Sequence, residues 1–201
     1  MPLSRTCRIL FPALLLVAVA DSARAQPDAK PSQSDMKKRF AAMASAPTDQ
    51  HKLLAAFVGD FDQVSEVFVG PGEPLKANSA SKGEWVMGGR FVKVTSAATK
   101  DEELKGDRLT VYGYDPDAKK FTMWNIDSMG PTSVSAKGDY DPESKTFTFE
   151  GERQQPRAGM VPFRWVLKLE EKGSLAHEIQ MKLPGAKEYT TFVKVKYSKT
   201  K

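Results

Sequence analysis

From Gly59 to the C-terminus, apolar and polar residues alternate with a period of two, the pattern of strands buried on one face. It predicts ten strands, over 60–69, 75–86, 90–98, 107–114, 119–127, 132–140, 145–153, 162–170, 175–183 and 188–198. Where the alternation is clean it also assigns faces. Phe163, Trp165, Leu167 and Leu169 oppose Arg164 and Lys168. Leu175, His177, Ile179, Met181 and Leu183 oppose Glu178, Gln180 and Lys182. Tyr189, Thr191, Val193, Val195 and Tyr197 oppose Lys194 and Lys196, while Phe147 and Phe149 share a face. In the fifth strand Trp124 and Ile126 compete with Phe121 and Met123, and the reading favours Trp124 inward.

Turn chemistry separates these runs. Gly88-Gly89 between Val86 and Phe91 predicts a two-residue hairpin loop, because glycine supplies the positive φ such loops need. Tyr114-Asp115-Pro116-Asp117-Ala118-Lys119-Lys120-Phe121 recurs as Tyr140-Asp141-Pro142-Glu143-Ser144-Lys145-Thr146-Phe147. In each copy the aspartate can accept hydrogen bonds from the backbone ahead and proline presets φ, so each is a tight turn. Ahead of the strands the period is helical: Thr48 is an N-cap, Asp49 suits the helix dipole, and Leu53, Leu54, Phe57 and Val58 form one stripe. Connections this short cannot make parallel crossovers, so successive strands are antiparallel neighbours. Closure into an up-and-down barrel removes both sheet edges, and the helix is placed to plug one mouth. An open twisted sheet is the rival geometry.

The N-terminus changes the charge arithmetic. Arg5 and Arg8 precede the apolar run Ile9–Ala20, and Ala23-Arg24-Ala25 follows it, as in a secretory leader cleaved near Ala25. Of 30 basic and 25 acidic residues such cleavage removes Arg5, Arg8, Arg24 and Asp21, taking the net charge from +5 to +3. Cys7, the one cysteine, leaves with the leader, so the mature chain has no disulfide or thiol chemistry. The expectation is a periplasmic or secreted protein: residues 1–25 leader, 26–47 a Pro/Ser/Ala/Lys-rich linker with a helical turn or two near Met36–Met43, and 48–201 the domain. No later stretch is apolar for long enough to cross a bilayer as a helix. A charge this small on an exported chain argues against nucleic-acid binding, and Lys194 and Lys196 read as solvated surface.

Catalytic and metal motifs fail on inspection. His177-Glu178-Ile179-Gln180-Met181 starts like a zinc-protease motif but ends in methionine and alternates as a strand. Asp139, Asp141, Glu143 and Glu150 have calcium-loop spacing, yet Ser144 stands where glycine is required. No Gly-x-Ser-x-Gly elbow is present, and His51, in the first turn of the helix, reads as solvated. The reading therefore assigns no catalytic or metal residue.

Five segments resemble a bacterial family of unknown function, DUF1579. They are Leu54-Ala55-Ala56-Phe57-Val58-Gly59-Asp60-Phe61, Trp85-Val86-Met87-Gly88-Gly89-Arg90-Phe91, Gly113-Tyr114-Asp115-Pro116, Trp124-Asn125-Ile126-Asp127-Ser128-Met129-Gly130 and Gly138-Asp139-Tyr140-Asp141-Pro142. Their order spans Thr48 to Ser198. The resemblance implies a lipocalin-like (calycin) barrel, and Gly59-x-Phe61 is loosely similar to the lipocalin Gly-x-Trp start. The family carries no established activity, so no site residues follow from it.

The resulting expectation is an all-β, antiparallel, roughly ten-stranded barrel that binds a small apolar molecule in its interior. Trp85, Trp124, Trp165, His177 and Tyr189 are the candidate lining, with Arg90 a charged contact at the rim. A satisfied core histidine is the default for His177; the sharper alternative is an axial haem ligand, since related barrels hold haem through one histidine. An enzyme on the same scaffold, or an interaction barrel with a packed interior, are the other readings.

Overall fold

The structure, a computed structural model, describes residues 32–43, 46–98, 106–155 and 158–200. The expected leader lies outside the described residues. The chain divides at Ser45 into two units. In the first, helix α1 spans Gln33–Met43. It starts earlier than expected because Ser32 and Asp35 cap it reciprocally: Asp35 N–H donates to Ser32 Oγ (3.1 Å), and Ser32 N–H to Asp35 Oδ2 (3.3 Å).

The second unit opens with α2, Asp49–Leu53, continued by a 3₁₀ turn over Leu54–Phe57. Ten strands follow: β1 Gly59–Val67, β2 Leu75–Val86, β3 Phe91–Ala98, β4 Arg108–Asp115, β5 Lys120–Asp127, β6 Val134–Asp141, β7 Thr146–Gln155, β8 Gly159–Leu169, β9 Leu175–Met181 and β10 Thr190–Lys199. Each pairs antiparallel with its chain neighbours, and β1 pairs with β10, closing the barrel. Closure satisfies the backbone groups an open meander would leave at both edges. The rival open sheet is thereby excluded.

The repeated Asp-Pro turns form as the sequence dictates. Asp115 Oδ1 accepts the N–H groups of Asp117 (3.1 Å) and Ala118 (3.0 Å), and Asp141 Oδ1 that of Glu143 (3.0 Å). Each turn ends on a lysine in left-handed backbone, Lys119 (φ 52°) and Lys145 (φ 54°). The β2–β3 loop differs from its expectation. It spans Met87–Arg90, four residues rather than two, with positive φ at Met87, Gly88 and Gly89.

The α2–3₁₀ segment plugs the end of the barrel where β2, β4, β6 and β8 finish. Phe57 stacks on Tyr112 (4.4 Å between ring centroids) and tilts against Phe147 (5.1 Å), which meets Phe121 edge-on (5.0 Å) and Tyr140 (4.5 Å). Burial of each such ring stabilises by roughly 1.5–3 kcal/mol, and ring pairing adds about 0.5–1.5 kcal/mol. This half of the interior is therefore solid. The helix cap is built by His51, which is buried (7% exposed) rather than solvated. Its Nδ1 accepts the Thr48 N–H (3.0 Å), and its ring meets Tyr114 edge-on at 5.6 Å. Nothing in the helical periodicity marks a third-position histidine for burial, because its cover comes from β4.

Candidate functional site

Along the inward face the side chains change character from plug to open mouth. On β4 the order toward the mouth is Tyr112, Thr110, Arg108; on β7 it is Phe147, Phe149, Gly151, Arg153. Rings fill the plugged half, and at the other end polar and charged groups surround a cavity of about 220 Å³. Arg108, Arg153, Gln63, Ser79, Ser96 and Asp127 contribute its polar lining, and Ile179, Met181, Val193 and Ala77 its apolar wall. A pit of about 20 Å³ reaches deeper, also lined by Ser96 and Arg108, along with Ser81, Thr110, Tyr112 and Tyr197. That is room for a water rather than a ligand group.

The hydroxyls and amide are oriented by one another. Ser79 Oγ donates to Gln63 Oε1 (3.0 Å), and Gln63 Nε2 donates to Ser96 Oγ (3.2 Å). This relay uses Ser96 Oγ as acceptor and leaves its own hydrogen to donate. Asn125, inward on β5, donates to Thr110 Oγ1 (2.9 Å). The two guanidiniums lack such closure. The Nε atoms of Arg108 and Arg153 are buried without a hydrogen-bond partner. None of the six ion pairs among the described residues includes either arginine. Arg108 is steadied from below, its Cζ lying 5.7 Å from the Trp165 ring centroid. Asp127 pairs in register with Arg108, yet its Oδ1 accepts the Met129 N–H (3.0 Å).

His177 faces inward as the alternation requires and is 1% exposed. It stacks on Trp165 at 4.5 Å, and its Nδ1 lies 3.4 Å from the Tyr197 hydroxyl. Burial, and then the nearby Arg108 charge, hold its pKa well below the ordinary histidine value, so the imidazole is neutral. Its Nε2 has no hydrogen-bond partner, but His177 lines neither the cavity nor the pit. With one ring face against Trp165 and no opening at the nitrogen, the position does not fit a haem macrocycle. The residue serves as packed core, which also positions Trp165 beneath Arg108.

The remaining candidates are redistributed. Trp165 is inward and buried. Trp124 is 39% exposed on the outer face, the reverse of the expected placement. Register decides it: Trp124 pairs with Val111, whose neighbour Tyr112 must point inward to meet Phe57. Phe121, Met123 and Asn125 therefore take the interior of β5. Trp85 keeps the inward parity of Ser81 and Gly83 but lies at the end of β2 on the plugged rim, 38% exposed. Arg90 sits in the β2–β3 turn at that same rim, where its charge helps to lower the His51 pKa. Tyr189 lies outside, beneath the Arg164 guanidinium at 4.2 Å. A β-bulge at Phe192 reverses the parity of β10, so Val193 faces in while Thr191 reaches the outward Glu178 carboxylate (3.1 Å). The same reversal removes Tyr189 from the lining.

Arg108 and Arg153 were missed by sequence reasoning, though a signal existed. Extending the Phe147–Phe149 parity along β7 reaches Arg153, and the Tyr112 parity along β4 reaches Arg108. Three larger concavities lie on the outer surface: about 830 Å³ across β1–β5, about 610 Å³ around Lys145, Lys168, Glu171 and Lys196, and about 570 Å³ around Phe91, Trp124, Lys137 and Glu150. All three are open grooves on the outside of the barrel.

The family model for "Protein of unknown function (DUF1579)" matches residues 46–199, and the chain belongs to that family. The crystal structure of Rv2717c from M. tuberculosis is similar in fold, with a TM-score of 0.55 at 10% identity. The match covers 77% of this chain and 99% of that one. No curated protein matches the sequence.

Proposed function

From the geometry of the unplugged mouth, we propose that the chain is an exported, non-catalytic barrel that binds a small molecule. The single observation carrying the reading is the cavity of about 220 Å³ at the mouth, walled by Ile179, Met181 and Val193 and floored by oriented polar groups. An apolar wall with a few convergent polar groups is the general form of a ligand pocket. Its volume is below the roughly 300–1,000 Å³ usual for drug-sized ligands, so the guest is small or is held by one end. The expected small apolar guest is revised to one with a polar end, since six of the ten named lining residues are polar or charged. Export rests on the leader pattern of residues 1–25.

Native mass spectrometry of protein purified from its own source tests the binding. A retained small mass is expected, and it should vanish in Ala77→Phe, where a ring fills the cavity from a buried inward position. A folded wild-type protein that carries no added mass, and acquires none from a total metabolite extract, would count against the proposal. Cleavage near Ala25 is checked by N-terminal sequencing of the same material.

A further inference from the structure

We propose that the mouth cavity is a carboxylate site, in which Arg108 and Arg153 hold the anionic end of a small amphipathic acid. The inference rests on the binding reading above and adds the chemical class of the guest. Guanidinium groups at an inward position of a barrel are costly unless their charge and donors are met, and carboxylates meet them bidentately. Here both Nε atoms are buried and unpartnered, and no ion pair among the described residues neutralises either charge.

Three further features select the guest. Two arginines against the one carboxylate of Asp127 leave the lining near +1, which suits a monoanion better than a dianionic phosphate. The Ser79–Gln63–Ser96 relay leaves the Ser96 hydroxyl hydrogen available to an acceptor in the cavity. Ile179, Met181 and Val193 face these donors across a small space, so the anion must carry an apolar body. Arg108 is preorganised, since its plane is steadied over Trp165, itself fixed by His177.

The test uses three probes of equal chain length, octanoate, octanol and octyl phosphate, titrated calorimetrically into the purified protein. Octanoate should bind at least about tenfold tighter than octanol, and its affinity should fall as salt is raised. Arg153→Gln should erase the preference for the acid, and Arg108→Lys should weaken it, since charge remains without the planar fork. Arg153 is the cleaner probe because Arg108 also covers Trp165, and circular dichroism confirms that each variant is folded. If octanol equals octanoate, or the preference survives Arg153→Gln, the carboxylate assignment falls while the binding reading stands. Tighter binding of octyl phosphate also overturns it. If none of the three binds, the carboxylate assignment falls, and the binding reading is decided by the metabolite-extract experiment.

Discussion

The Phe57 carbonyl is seated directly over Gly83: a Cβ at that position would overlap the carbonyl oxygen. The plug therefore rests on strand β2 through backbone, with no side chain between them. Gly83→Ala should force the 3₁₀ turn outward and cost about 1–3 kcal/mol, the usual range for overpacking a close contact. Urea denaturation measures this as a lower midpoint at similar slope. An unchanged midpoint would show that the plug yields freely.

The cap of α2 gives the plug a pH dependence. His51 Nδ1 must be unprotonated to accept the Thr48 N–H, and burial, followed by the Arg90 charge, lowers its pKa. A histidine with a depressed folded pKa binds its proton more readily when unfolded. Stability is then full above the unfolded value of about 6.5 and is lost as pH falls from there to the folded value. His177, lowered further by its deeper burial, acts in the same sense. His51→Gln keeps an acceptor at the third helical position and should shrink, without abolishing, the loss seen between about pH 7 and 5. Denaturation midpoints across that range decide it; identical slopes in the two proteins would remove His51 from the account.

Lys119 and Lys145 close equivalent turns in left-handed backbone that a side chain disfavours by roughly 1–2 kcal/mol. Glycine relieves that strain while adding unfolded-state entropy, so Lys119→Gly and Lys145→Gly should each stabilise by about 0.5–1 kcal/mol net. The turns lie on different hairpins, and the double variant should be additive. Thermal unfolding of the three variants is sufficient, and a loss of stability in either would contradict the turn geometry.

The tryptophans should separate by environment. Trp124, on the outer face, should be quenched by acrylamide and tolerate Trp124→Thr within about 0.5 kcal/mol, as surface substitutions do. Trp165, buried beneath Arg108, should resist quenching, and Trp165→Ala should cost about 3–5 kcal/mol. Comparable losses at the two positions would mean that β5 has the opposite face inward.

Much of the barrel is written locally. Alternation along β8 and β9 places Trp165 and His177 inside, and the two Asp-Pro turns form from aspartate and proline chemistry that needs no tertiary help. Chain-neighbour pairing follows from connections too short for anything else. The candidate site was less legible, because a period of two defines two faces without labelling them. In β5 both faces carry large apolar groups, and only the register of Trp124 on Val111 beside Tyr112 selects one. In β10 an extra residue at Phe192 reverses the parity, an event that leaves no mark in hydrophobicity. The position along a strand matters as much as its face: Trp85 shares the parity of the interior but ends at the plugged rim, while Arg108 and Arg153 stand at the open one. The chain alone thus determined the strands, the two Asp-Pro turns and the strand order. Closure determined which end is filled, which tryptophan is inside and which charges share a cavity, because those depend on contacts between residues far apart in sequence.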